Sequence, residues 1–356
     1  MSSTYGEKIK ISVFGESHGG GIGVVIDGLP AGEKIDTEKI LAQMARRAPG
    51  KDKTATPRKE SDLPEMLSGI LGDTLTGAPL CAVIKNTNTR SSDYGNLLAV
   101  PRPGHSDYTA YVKYNGANDI RGGGHFSGRL TAPLVFAGAV CRQLLEKRGI
   151  KIAAHIERVG SVTDDRFDPV HIGDELMDRL ALSPFALINE DAEEAVRAEI
   201  EAARLACDSV GGVVECAVTG MPAGIGEPMF DGVEGAVAKA LFGIPAVKGV
   251  EFGAGFELAK MRGSQSNDPF GIRDGRVVTE TNNCGGILGG ITNGMPLIFR
   301  AAIKPTPSIS QPQRSVDLQK LENTQLEIHG RHDPCIVPRA VPVTEAVAAI
   351  ALINLM

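Results

Sequence analysis

Residues 131–147 read TAPLVFAGAVCRQLLEK, and this stretch decides the fold. Its length and apolar content suit a helix of about four turns. Apolar residues lie all round it rather than along one stripe, and such a helix is buried. Working outward, KIKISVF at 8–14 and VVID at 24–27 read as strands separated by a glycine-rich turn at 15–23. A helix over 36–47 has Asp36 as its N-cap and Pro49-Gly50 as its stop. Strand patches in 67–85 are broken at Gly72-Asp73 and at Gly77 to Pro79. Downstream, strands are predicted at 151–159, 213–219, 247–252 and 296–303, and helices at 190–206, 231–242 and 344–355. The class is α/β (α+β) with very apolar central helices, and the length fits two domains or one large one equally. The polar segment 86–124 is read as long and irregular, and loops of that length are usually functional.

The chain has 356 residues and a formal charge of −6, which argues against nucleic acid or an anionic membrane as a partner. Between Arg46 and Lys59, however, six cations face the single acid Asp52. That focus suits a small polyanionic ligand, or it is a solvated charged loop. Forty-three glycines exceed the usual share of about 7% and gather at 15–23, 122–128 and 285–294. The six cysteines form no CxxC pair and are expected to be reduced. No signal-peptide run and no apolar stretch of about 18 residues is read, so a cytoplasmic chain is expected.

GESHG at 15–19 matches G-x-S-x-G, the nucleophile elbow of a serine hydrolase built on Ser17. An elbow feeds a helix, whereas Gly19, Gly20, Gly21 and Gly23 lead into another strand. The remaining readings are a glycine hairpin, or a loop whose N–H groups approach an anion or flat ring with Ser17 and His18 as proton carriers. Neither G-x-G-x-x-G nor a P-loop is present in register. RPGH at 102–105 puts His105 beside Arg102 on a rigid turn, and RGGGHFSGR at 121–129 puts two arginines, His125 and Ser127 before the apolar helix. An uncapped helix start with adjacent arginines is an anion site. HGRHDPC at 329–335 crowds His, Asp and Cys, but no second cluster completes a zinc set, so no metal is expected. Arg331 pairing with an anion and Asp333 moving a proton is the preferred reading. KPTPS at 304–308 suits a phosphate monoester, or an ordinary turn.

Together, GESHGGGIG at 15–23, ARRAPG at 45–50, RPGHSDYT at 102–109, RGGGHFSGRLTA at 121–132, NNCGGILGGITNG at 282–294, KPTPSI at 304–309 and GRHDPCIVPRAVPV at 330–343 resemble the chorismate synthase family, in order and over essentially the whole chain. The resemblance implies a single domain over 1–356, a β-α-β sandwich with long helices between antiparallel or mixed sheets, and a homotetramer. It implies a lyase that removes phosphate from 5-enolpyruvylshikimate 3-phosphate by anti-1,4-elimination, with reduced FMN and no net redox change. The departing hydrogen is not α to a carbonyl, so a side-chain base alone has no stabilised carbanion to form. An electron-rich flavin can lend density and recover it.

Carried over, the resemblance makes His18 the acid for the leaving phosphate, places His105 by the reduced flavin, and makes Ser17 with Asp333 a proton relay. Arg46, Arg47, Arg129 and Arg331 would hold phosphate, carboxylates or the nearby flavin. Lys304, Pro305, Thr306, Pro307 and Ser308 would grip FMN, with His125, Phe126, Ser127 and Gly289 near it. Arg47 and Lys53 match positions associated with NADPH, the ultimate reductant, and an external flavin reductase is the expected partner because no reductase segment is visible. The sequence departs from the family where Ala48 and His125 stand at positions that are often arginine. Anion affinity is therefore expected to fall from pH 6 to 8 as His125 loses its charge.

Overall fold

The computed structural model describes residues 3–50, 62–87, 99–328 and 333–356. The first sheet contains β1 (Thr4–Tyr5), β2 (Lys10–Gly15), β3 (Gly21–Asp27) and β4 (Pro64–Ser68). After the small hairpin of β5 (Ile70–Leu71) and β6 (Thr74–Leu75), β7 (Leu80–Lys85) completes it in the order β1-β2-β3-β7-β4. The second sheet takes β8 (Lys151–Val159), β9 (Val162–Thr163), β10 (Gly212–Thr219) and β11 (Val247–Phe252). Two hairpins follow, β12 (Phe270–Arg273) with β13 (Arg276–Thr279), and β14 (Ile287–Leu288) with β15 (Ile291–Thr292). With β16 (Leu297–Ile303) the second sheet runs β11-β16-β10-β8-β9, and β17 (Gln313–Asp317) pairs with β18 (Glu322–Leu326). Every strand pair among the described residues is antiparallel.

The helices are α1 (Thr37–Arg47), α2 (Asp107–Lys113), α3 (Thr131–Glu146), α4 (Asp174–Leu182), α5 (Glu193–Leu205), α6 (Val233–Leu241), α7 (Gly263–Ser266) and α8 (Val337–Leu355). α3 packs on β3 and on α8, and α8 packs on β8 and β10, so the two apolar helices fill the space between the sheets. This is the sheet-helix-sheet layering expected of a helix with no polar side. At the crossing, a Cβ on Gly138 would stand 2.3 Å from Cα of Ala346. Backbone touches backbone there, which is how small residues let two helices lie close. Buried side chains of both sheets and these helices form one continuous apolar cluster.

Several predicted boundaries shift. The β2–β3 ladder runs on through Phe14↔Gly23 and Gly15↔Ile22, because ladder bonds need backbone only, so the turn shrinks to 16–20. The segment 86–124 is not irregular throughout, since α2 lies inside it. The closing helix starts at Val337 rather than at 344. Pro338 sits in its first turn, where an N–H needs no partner. Pro342 is inside, at an intrinsic cost of about 3 kcal/mol, but it is buried among Val341, Val343 and Ala346. α8 is long and apolar enough to cross a membrane, yet most of it is buried against the sheets.

Candidate active site

Strands β1 and β2, the ends of α1 and β16, and the starts of α2, α3 and α8 meet around one cavity of about 850 Å³. Its size lies in the range of small-molecule sites, about 300–1,000 Å³. The uncapped starts of α3 and α8 contribute Leu130, Thr131 and Ile336 to the wall, so two positive dipole ends lie at the cavity.

Arg47, at the end of α1, donates from Nε to Thr131 Oγ1 (3.0 Å), from Nη2 to the Gly128 carbonyl (3.0 Å) and from Nη1 to Oδ2 of Asp62 (2.5 Å). The other oxygen of Asp62 accepts from Nη1 of Arg129, whose Nε donates to Oδ1 of Asn86 at 3.1 Å. Burial draws the Arg47 guanidinium down to about 10, against the pull of Asp62. Burial alone would raise the Asp62 carboxyl, but the charges of Arg47 and Arg129 outweigh it and hold it below its usual range. Asn86 also donates to the carbonyls of Glu16 and Gly19, tying the β2–β3 loop to Arg129.

Across the cavity, Arg102 donates from Nε and Nη2 to Asp107 at 2.7 and 2.8 Å and from Nη1 to Ser308 Oγ at 3.2 Å. Lys304 Nζ donates to the Gly104 carbonyl at 3.0 Å, and burial followed by the nearby Lys248 lowers its pKa. Thr306 Oγ1 is buried without a hydrogen-bond partner among the described residues. At the third corner Arg339 pairs with Asp333 (2.5 Å) and donates from Nε to the Arg47 carbonyl (3.0 Å). Five cations against Asp62, Asp107 and Asp333 leave this end of the cavity positive among the described residues.

Between these groups runs the arch Gly122-Gly123-Gly124, with φ of 59°, 84° and 54°. A Cβ on Gly122 would lie 2.4 Å from Cε1 of His18 and 2.7 Å from Ser17 Oγ, and one on Gly123 would lie 3.2 Å from the His105 ring. The glycines therefore let His18 and His105 both approach one backbone strip closely.

The structure brings together Arg47, His105, His125, Phe126, Ser127, Arg129, Lys304, Thr306, Pro307, Ser308 and Asp333 on the cavity wall. Arg46 is elsewhere. Its guanidinium forks onto Glu345 of α8 at 2.5 and 3.1 Å and donates to the Ser183 and Leu180 carbonyls, so it joins α1 to α8 and is not a substrate ligand. Ser17 and His18 lie behind Gly122 rather than on the wall. Ser17 leads into β3, not a helix, which removes the nucleophile elbow. His125 lines the cavity, but its Nδ1 is 2.8 Å from the Gly15 carbonyl and its Nε2 2.8 Å from Ser3 Oγ. Both nitrogens are used, so His125 does not replace an arginine as an anion donor. Gly289 is in the β14–β15 turn and Pro305 is off the wall. Lys53 and Arg331 lie outside the described residues. Asp62, Asn86, Arg102, Asp107 and Arg339 were not assigned from sequence, although Arg102 and Asp107 flank His105 and Arg339 stands in the last motif.

The chorismate synthase family model matches residues 9–356. The chain belongs to the chorismate synthase family. Chorismate synthase of Thermococcus kodakarensis is 49% identical, covering 98% of this chain and 95% of that protein. That of Dehalococcoides mccartyi strain BAV1 is 49% identical over 100% of this chain and 96% of its own length. A crystal structure of chorismate synthase superposes with a TM-score of 0.76 at 28% identity, covering 99% of this chain and 92% of that one. Membership makes the protein a lyase of the shikimate pathway with an α+β fold. Among the described residues no cluster of metal-ligating side chains is present. The buried thiols Cys141 and Cys335 are pushed up to about 12 by burial, which leaves them unreactive.

Proposed function

We propose that the protein eliminates phosphate from 5-enolpyruvylshikimate 3-phosphate to give chorismate, with reduced FMN as cofactor. The observation that carries this is the convergence of His105, Lys304, Thr306 and the Arg47–Asp62–Arg129 unit on one positive cavity beside a glycine arch. The site suits FMN: the buried hydroxyl of Thr306 lacks a partner among the described residues, Lys304 is beside it, and the arch offers bare backbone to a flat ring. Reduced FMN supplies transient electron density while the carbon–oxygen bond breaks. Lys304, Thr306 and Ser308 would hold its phosphate, and Phe126 with Tyr114, ring centroids 6.3 Å apart, would give an aromatic edge.

Arg47 and Arg129, bridged by Asp62, would hold the substrate's anionic groups by charge-assisted hydrogen bonds. His18, backed by Gly122, would deliver a proton to the departing phosphate if the β2–β3 loop presents it. Asp333, held by Arg339, would accept the proton lost from carbon through the site. Apolar wall residues such as Leu134, Val343 and Val347 lower the local dielectric and keep these charges strong. NADPH as the ultimate reductant through a separate reductase, and a homotetramer, complete the proposal. The exposed apolar side chains Phe230, Phe256 and Ile272 are consistent with self-association. Anaerobic phosphate release from the substrate with photoreduced FMN tests the reading, and none from folded protein sinks it. Bleaching of FMN by NADPH in stopped flow would show an intrinsic reductase, and light scattering gives the subunit number.

A further inference from the structure

Among the described residues, the ring of His105 is hydrogen-bonded on its Nδ1 side only. Its Nδ1 is 2.6 Å from Oδ1 of Asp107, 3.1 Å from Nη2 of Arg102 and 3.5 Å from Ser106 Oγ. The carboxylate needs a proton on Nδ1, whereas the guanidinium needs a lone pair there. Distance decides between them. At 2.6 Å an imidazole lone pair would face a carboxylate lone pair, while Nη2 of Arg102 already donates to that same Oδ1 at 2.8 Å. Asp107 is held ionised: burial opposes this, but the hydrogen bonds from Arg102 and His105 outweigh it. Its Oδ2 accepts from Nε and the backbone N of Arg102, at 2.7 and 3.0 Å, so the carboxylate cannot turn away. The far side of the ring, Nε2 and Cε1, faces the Gly123 arch at the cavity. The charged groups around it are Arg102 and Asp107 from its own segment and Lys304, bonded to the Gly104 carbonyl, from the segment after β16.

We propose that Asp107 is the positioning residue that keeps the proton on Nδ1 of His105, so that only Nε2 gains and loses protons, and does so at the cavity wall. Arg102 extends the grip to Ser308, which ties the orientation of His105 to the phosphate-holding loop. The tautomer follows from the contacts alone, whereas its consequence for turnover rests on the lyase reading. In hydrolytic triads the same arrangement makes Asp→Asn cost about 10⁴ in kcat, because the wrong nitrogen then holds the proton.

The test uses long-range proton–nitrogen spectra of ¹⁵N-histidine-labelled full-length protein, with His105→Asn assigning the signal. His105 is expected as the Nδ1–H form in the wild type and as the Nε2–H form in Asp107→Asn, whose carboxamide can donate to Nδ1. Asp107→Asn should lower kcat by about 10²–10⁴ with KM little moved, and should cost nothing further in the His105→Asn background. An equal loss in both backgrounds, or an unmoved tautomer, overturns the proposal. If Asp107→Asn does not fold, a wild-type His105 in the Nε2–H form overturns it by itself. A folded wild type that releases no phosphate refutes the lyase reading and leaves the tautomer result standing.

Discussion

Gly122 and His18 stand so close that a Cβ on the glycine would lie 2.4 Å from Cε1 of the imidazole, at a backbone φ of 59°. Gly122→Ala must therefore push the ring away and also strain its own backbone. The expected result is a loss of about 10²-fold or more in kcat together with a lowered thermal midpoint, since alanine is strained at positive φ. Phosphate release measured beside a melting curve checks this, and a fully active Gly122→Ala would refute the close approach.

Arg46 and Arg47 are neighbours in sequence with opposite expected phenotypes. Among the described residues, Arg46→Ala leaves buried Glu345 with only Arg142, 3.2 Å away, and the backbone N–H of Ala154. Breaking such a pair costs about 3–5 kcal/mol, so urea denaturation should show a large shift while substrate KM in the folded fraction stays near wild type. Arg129→Ala should raise KM instead. Equal KM effects of the two changes would contradict the placement of Arg46.

Gly138→Ala inserts a methyl 2.3 Å from Cα of Ala346. Overpacking of this kind costs about 1–3 kcal/mol, although alanine is the better helix former. A lowered denaturation midpoint is expected, and a raised one would mean that α3 and α8 can separate freely.

His155 is buried between Asp164 and Glu215, each 3.0 Å from one ring nitrogen. Burial lowers its pKa, but the two carboxylates outweigh that and raise it. A raised folded-state value gives stability that is complete below the unfolded value of about 6.5 and fades as pH rises through the folded value. The stability gap between wild type and His155→Gln should therefore be widest below pH 6.5 and narrow in alkaline buffer. A gap that grows with pH would reverse the sign and refute the pairing.

The layering of the fold was legible because residues 131–147 have no polar side, and such a helix must be covered twice. The split between Arg46 and Arg47 was not legible. Successive helical residues point about 100° apart, and only the position of α8 shows which one meets Glu345. The motif RPGHSDYT pointed to His105 but hid α2, whose seven residues are too short to show a period. From sequence His125 reads as a substitute cation, but the Gly15 carbonyl of β2 and Ser3 occupy both its nitrogens. Partners contributed by distant segments leave no trace in local spacing.

α8 turns one flank to the apolar core, while Val343, Val347 and Ile350 also border the cavity. Ligand occupancy and resistance to unfolding are therefore coupled equilibria in this molecule. A ligand at about 100 times its Kd adds roughly 2.7 kcal/mol against unfolding, so thermal-shift screening can rank cavity binders before any turnover assay exists. The same coupling constrains substitution, because a change at Val347 that loosens the helical layer also reshapes the wall on which ligands rest.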